Sequence, residues 1–501
     1  MSTVHTRISP ITIDKVTFRD MGYRLVDALS EFYEKIDTIP VTKGEGPSEI
    51  QAILGNQPLP ADGLAPLETM NKALDLMTQH SLFNGHPKFL GYITSSPTQI
   101  GALADFLASG LNPNVGANIL SPMATAIEKQ TVRWLAELVG LPSTYGGVLV
   151  SGGNMANMTA FLAARTAKAP KILKEKGLPN LDREMVFYCS KATHTWIEKT
   201  AVLFGHGLNA MRYIPTDNQN RMLSTVLLET IVKDLEEGKQ PFLVVGNAGD
   251  VSTGATDNLA DLAAICKQFD LWFHVDGAYG VPAACVPECN DLFSGLGDAD
   301  SIAIDPHKWL YAPLEVGCTL IKDVNHLINA YSSHPVYYNF DSEEGEQMTN
   351  FYEYSLQNSR GFRALKVWMA VLQVGRKGYQ RMIGEDISVA KFLFAEAQKH
   401  PELEAVSQQL SITTLRYVPP ILAGENEKNM AVLNELNENL LNELQRSGEV
   451  FLSNAVIGQM YCLRACVVNY RTSYQDMTEI IDIILKTGRK LFAQMQGNIR
   501  N

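Results

Sequence analysis

Between about residue 100 and residue 375, short apolar runs alternate with amphipathic stretches, and this alternation most limits the folds open to the chain. GGVLV (146–150), EMVFYC (184–189), PFLVVGN (241–247), LWFHV (271–275) and SIAI (301–304) are continuous apolar runs of strand length. Between them lie NMANMTAFLAARTA, HTWIEKTAVLFG and DNLADLAAICKQF, which read as helices. Strands that are apolar throughout and joined by helical crossovers imply an α/β fold, with a largely parallel sheet covered on both faces. Ligands in such sheets bind in the crevice at the carboxyl ends of the strands. The polar residues just past each strand are therefore the candidates for function.

The flanking regions have other patterns. FRDMGYRLVDALSEFYEKI carries an apolar stripe through Met21, Leu25, Leu29 and Phe32 with no local partner, so it is expected to pack on another domain or subunit. Beyond 375, LSITTLRYV, MYCLRACVVNY and a last helix from Met477 read as a smaller α/β unit. A chain of 501 residues is long for one core, and the expected division is 1–98, 99–375 and 376–501. The net charge of −12 disfavours nucleic acid and anionic membrane surfaces as partners. No apolar run is long enough to span a bilayer, and the N-terminus lacks a basic start followed by an apolar core. A cytoplasmic location is expected. Seven scattered cysteines with no CxxC point to reduced thiols rather than disulfides or zinc.

Four polar clusters follow strands. SGGNMAN places Gly153 and Asn154 where a helix opens, and free N–H groups at a helix start suit a phosphate. The motif is neither GxGxxG nor GxxxxGK[ST]. SKATHTW places His194 after a strand, HVDGAYG places Asp276 and the small Ala278, and DPHKW places Asp305, His307 and Lys308. Singly, these read equally as a tight turn, a structural histidine, a capping aspartate and a charged lysine. Together they supply an amine, a carboxylate, an imidazole and an anion seat at one sheet edge. That set meets the needs of pyridoxal 5′-phosphate: the lysine forms an imine, the carboxylate keeps the pyridine nitrogen protonated, and the imidazole lies over the ring.

These segments, with GHPKFLGYITSSP, LSPMATAIEKQTVRWLAELVGLP and FRALKVWMAVLQVG, resemble the group II pyridoxal-phosphate decarboxylases. The nearest likeness is to the bacterial form of the aromatic-L-amino-acid decarboxylase branch. The resemblance implies a fold-type I enzyme with a mainly parallel seven-stranded sheet, a homodimer embraced by its N-terminal segments, and active sites at the subunit interface. It assigns Lys308 to the imine, Asp276 to the pyridinium and His194 to ring stacking. Gly153, Asn154, Ala278, Asp305 and His307 match cofactor contacts, and Tyr92, Ser95, Asn118 and His307 match substrate contacts. HPVYYNF puts Tyr337 where the family's mobile loop carries the tyrosine that returns a proton to the α-carbon, with Tyr338 beside it.

Two departures stand out. The family's GTT is GDV here; Asp250 is expected to face away from the phosphate, leaving Asn247, Ser252 or Thr253 to supply a hydrogen bond. Gly116 and Asn118 replace bulky aromatics in the wall lent by the neighbouring subunit. The reading is decarboxylation of an L-amino acid, aromatic first and acidic second, with Arg360 and Arg363 as arginines available to an acidic side chain. A rival of another class is a decarboxylase-like scaffold that has lost activity.

Overall fold

The computed structural model describes residues 9–333, 348–424 and 428–499. Its large sheet has seven strands: β1 (Gly146–Val150), β2 (Met185–Ser190), β3 (Met211–Ile214), β4 (Gln240–Asn247), β5 (Trp272–Asp276), β6 (Ser301–Ile304) and β7 (Gly317–Ile321). They lie in the order β1-β7-β6-β5-β4-β2-β3. β7 runs antiparallel to both its neighbours, and the remaining pairs are parallel. Strands β2, β5, β6 and β7 are buried along their whole length, as expected of a sheet with helices on both faces.

Two apolar cores result, one on each face. Leu149, Val244, Val275, Ile302 and Leu320 point into one, and Val148, Phe187, Val245, Ala303 and Ile321 into the other. The alternation of neighbours such as Val148 and Leu149 between the two cores is the period-2 geometry of a strand.

A second sheet is antiparallel: β8 (Leu403–Gln409), β9 (Ile412–Tyr417), β10 (Ser453–Ile457) and β11 (Met460–Cys466), in the order β10-β11-β9-β8. The helix Ala364–Gln398 reaches toward it and is interrupted at Gly375, whose φ of 65° and ψ of 170° leave the helical region. Segment 88–92 runs beside this small sheet. Leu90 N–H donates to Phe451 O at 2.8 Å, and Cys466 N–H donates to Leu90 O at 2.9 Å. These bonds carry Tyr92 from the N-terminal part of the chain to the mouth of the large sheet.

The N-terminal helix Lys15–Lys35 buries none of its residues within the chain. The described cysteines form no disulfide. Among the described residues no helix is long and apolar enough to cross a membrane.

Candidate active site

The carboxyl ends of β4, β5 and β6 converge on a cavity of about 490 Å³. Parallel pairing sets Asn247 directly beside Asp276, and Asp276 beside Ala303. The chain leaves β6 into the turn that carries Asp305, His307 and Lys308. All three line the cavity, together with Gly153, Asn154, His194, Asn247, Ser252, Asp276, Ala278 and Tyr92. Ser95 lies behind this wall and donates to His307 O at 2.9 Å. Asn118 is absent from the wall; its backbone N–H donates to Asn350 Oδ1 at 3.0 Å, and the resemblance assigns its contribution to a neighbouring subunit. Tyr337 and Tyr338 lie outside the described residues.

The helix Gly153–Lys168 opens at the cavity. Its N-cap, Gly152, has no side chain to satisfy the first N–H groups, and the helix's own bonding begins with Ala156 N–H donating to Gly152 O. The donors ahead of Ala156 are left for a ligand. Gly153 permits the approach, because a Cβ there would lie 2.6 Å from Asp305 Oδ2 and 3.1 Å from Ala278 Cβ.

Trp196 organises two of the functional side chains, a role absent from the sequence reading. Its indole N–H donates to Asp276 Oδ2 at 2.7 Å, and its backbone N–H donates to His194 Nδ1 at 3.4 Å. The second bond puts the proton of neutral His194 on Nε2. Burial lowers the His194 pKa; Asp276 opposes the shift and Lys308 adds to it. His307 is set the same way, with Val316 N–H donating to its Nδ1 at 3.1 Å and burial lowering its pKa. Lys308 Nζ lies 3.2 Å from Asp305 Oδ2, while the buried Asp305 Oδ1 has no hydrogen-bond partner among the described residues.

The Asp250 carboxylate is engaged by its own turn. Oδ1 accepts from Ser252 N–H at 2.7 Å and Thr253 N–H at 3.0 Å, and Oδ2 accepts from Ala255 N–H at 2.8 Å and from the Thr253 hydroxyl. Thr253 is thereby occupied; Ser252 and Asn247 remain on the cavity wall, and Asp250 lines it too, so its carboxylate is tied down by the turn rather than carried out of the cavity as expected. Asn247 Nδ2 already donates to Ser190 Oγ at 3.0 Å.

The small sheet adds residues the sequence reading missed. Ser453, Asn454 and Arg464 all line the cavity. Arg464 is 2% exposed, and its Nη1 donates to Tyr92 O at 3.2 Å and Ser453 Oγ at 2.9 Å. Its Nε and Nη2 have no hydrogen-bond partner among the described residues. Arg360 is not part of the wall. It is buried against Glu128, with Nη2–Oε1 at 2.5 Å, and Arg363 pairs with Glu315 at 3.0 Å.

A primary amine, a carboxylate braced by an indole, a neutral imidazole and an uncapped helix start thus face one cavity. They fit an aldehyde-bearing, phosphorylated pyridine, and they define a fold-type I enzyme that uses pyridoxal phosphate. The chain matches the pyridoxal-dependent decarboxylase conserved domain over residues 65–416. It is 33% identical to an aromatic-L-amino-acid decarboxylase of Bacillus atrophaeus, covering 92% of this chain and 94% of the relative. It is 27% identical to a phenylacetaldehyde synthase of a Rosa hybrid cultivar, with 94% of each chain covered. The crystal structure of Catharanthus roseus tryptophan decarboxylase in complex with L-tryptophan superposes with a TM-score of 0.85 at 26% identity, covering 97% of this chain and all of that one. The chain belongs to the pyridoxal-dependent decarboxylase family. It is a carboxy-lyase that acts on an amino acid.

Proposed function

We propose that the substrate is an aromatic L-amino acid, released as the corresponding amine and carbon dioxide. The observation that carries this reading is the likeness along nearly the whole chain to an aromatic-L-amino-acid decarboxylase, at 33% identity. It is supported by the engagement of Arg360 and Arg363 with Glu128 and Glu315, which removes two cations from the recognition of an acidic side chain.

Each residue has a part. Lys308 Nζ would hold the cofactor through its aldehyde. The N–H groups at Gly153 and Asn154 bind the phosphate. Asp276, with Oδ2 fixed by Trp196, keeps the proton on the pyridine nitrogen. Bound pyridoxal phosphate supplies a cationic ring that takes up the electron pair left at Cα when carbon dioxide departs. His194, with its pKa lowered and its Nδ1 accepting from the Trp196 backbone, would cover the ring face without adding a competing charge. Asn247 and Ser252 hold polar positions on the wall. Tyr92 and His307 border the substrate's space, and Ser95 braces the His307 backbone. Tyr337 returns a proton to Cα, the assignment made from its place in the HPVYYNF loop.

A second reading, an acidic substrate, is favoured by Arg464, whose Nε and Nη2 find no partner among the described residues and can bind a carboxylate. Carbon dioxide release across the proteinogenic L-amino acids and L-DOPA separates the two. The aromatic reading requires the highest kcat/KM on tyrosine, tryptophan, phenylalanine or DOPA; a maximum on glutamate or aspartate overturns it.

The assembly we propose is a cytoplasmic homodimer. An apolar cavity of about 580 Å³, lined by Leu25, Leu29, Phe32, Met70, Leu74 and Met77, marks an N-terminal surface that the described residues leave unfilled. Sedimentation of the purified protein at the monomer mass would contradict this assembly.

A further inference from the structure

We propose that Asp386 is the positioning residue for Lys308, acting through the two aromatic side chains that follow the lysine. The proposal rests on Lys308 being the cofactor's anchor, and concerns what fixes that amine in place.

Lys308 sits in a tight turn. Its N–H donates to Asp305 O at 2.9 Å, and its carbonyl accepts from Tyr311 N–H at 3.2 Å. The turn is closed by an unfavourable backbone conformation, with Tyr311 at φ +56°. A left-handed conformation at a bulky residue is unfavourable and persists only where the surroundings over-determine it.

Those surroundings converge on one carboxylate oxygen. Tyr311 Oη donates to Asp386 Oδ2 at 2.6 Å, and Trp309 Nε1 donates to the same atom at 2.8 Å. Both aromatic side chains are fully buried. The Trp309 ring also stacks on Tyr279 at 4.9 Å and 14°, and the Tyr279 hydroxyl meets Ser411 Oγ at 2.7 Å. Thr98 N–H holds Tyr311 O at 2.8 Å.

Asp386 belongs to the stretch of helix beyond Gly375, and Ser411 immediately precedes β9. The turn bearing Lys308 is therefore gripped by elements that lie after the sheet it emerges from. Packing alone does not explain a carboxylate here. Burial is costly enough to push the Asp386 pKa up to about 7, and an apolar side chain of similar volume fills such a site at lower cost. What the carboxylate adds is direction, since it accepts two hydrogen bonds that fix the residues one and three places after Lys308. Loosening this grip lets Nζ drift from its place 3.2 Å from Asp305 Oδ2.

The test compares Asp386→Leu, Asp386→Asn and Tyr311→Phe with the parent. In cofactor-free protein, acylation of Lys308 by acetic anhydride is followed against pH by mass spectrometry and normalised to the exposed Lys233. In loaded enzyme, the pH midpoint of the bound cofactor's absorbance, kcat and KM are measured separately. Asp386→Leu and Tyr311→Phe are expected to shift the Lys308 acylation profile and the absorbance midpoint. They should lower kcat by about 100-fold, the scale for an ångström of misplacement, with little change in KM. Asp386→Asn, whose Oδ1 still accepts both bonds, restores the parent's values.

Unchanged acylation and absorbance in folded Asp386→Leu and Tyr311→Phe overturn the proposal. So does an equal loss in Asp386→Asn and Asp386→Leu. Should Asp386→Leu fail to fold, Tyr311→Phe decides, because it deletes one hydroxyl and little volume. Borohydride trapping in the parent keeps the two claims apart: no adduct at Lys308 sinks the anchor reading, whereas an adduct with indifferent variants sinks only the positioning role.

Discussion

Replacing Arg360 with methionine separates a structural arginine from a substrate-binding one. Arg360 Nη2 lies 2.5 Å from Glu128 Oε1, and Nη1 lies 3.2 Å from Oε2, with neither side chain exposed. The same guanidinium donates to Val115 O at 2.9 Å and to Leu149 O at 2.5 Å, and it packs 4.9 Å over the Phe351 ring. Methionine preserves much of the packing and deletes the charge. Glu128 then keeps only the Leu149 N–H among these partners, at 3.0 Å, and the pair's loss is worth about 3–5 kcal/mol because one charge stays buried without its counterion. Urea unfolding followed by circular dichroism should show a clearly lower midpoint for Arg360→Met. The double variant Glu128→Leu/Arg360→Met should recover part of the loss, since both charges are then gone. If Arg360→Met unfolds at the parent's midpoint and instead loses activity on acidic amino acids alone, the arginine binds substrate and the structural account is wrong.

Other consequences follow from single contacts. Gly153→Ala brings a Cβ within 2.6 Å of Asp305 Oδ2; overpacking of about 1–3 kcal/mol corresponds to a rise of roughly 5- to 160-fold in cofactor Kd, measured by equilibrium binding of pyridoxal phosphate. Tyr337→Phe is expected to lose amine and, with dioxygen and water as co-reactants, to gain aldehyde together with ammonia and hydrogen peroxide; product analysis showing unchanged amine output removes Tyr337 as the proton donor. His206 lies among Phe161, Phe187 and Phe242, where burial lowers its pKa to about 4. Its folded value is below the unfolded value of about 6.5, so the unfolded chain takes up the proton first and stability falls as pH drops from about 6.5 to about 4. His206→Phe should flatten that dependence in thermal melts. Asp386 has the opposite sign of shift. A carboxyl raised to about 7 costs stability as pH rises from its unfolded value toward 7, so Asp386→Asn should gain on the parent in melting temperature between pH 5 and pH 8. A constant difference across that range would contradict the buried carboxylate's ionisation.

The sheet edge was legible because each signal is local. An apolar run ends and a polar residue follows, so the crevice rule collected Lys308, Asp276, His194 and Gly153 before any contact was known. The strand GCTLI (317–321) was harder to read, and its antiparallel insertion between β1 and β6 depends on partners far away in the chain. Trp196 is in plain view next to His194, but its bond to Asp276 spans 80 positions. Arg464 arrives at the cavity only because segment 88–92 pairs with the small sheet. A clue existed, since an arginine inside the apolar run YCLRACVV is costly to bury without a task. The direction of Arg360 was open in the sequence for the same reason: its partner Glu128 lies 232 positions earlier.

The most direct measurement concerns position 308. Holoenzyme reduced with borohydride, digested and examined by mass spectrometry should carry a phosphopyridoxyl group on the peptide containing DPHKW, with the modification on Lys308. A label on a different lysine, or none with the cofactor bound, would contradict the reading of this cavity as the place where the amino acid loses its carboxyl group.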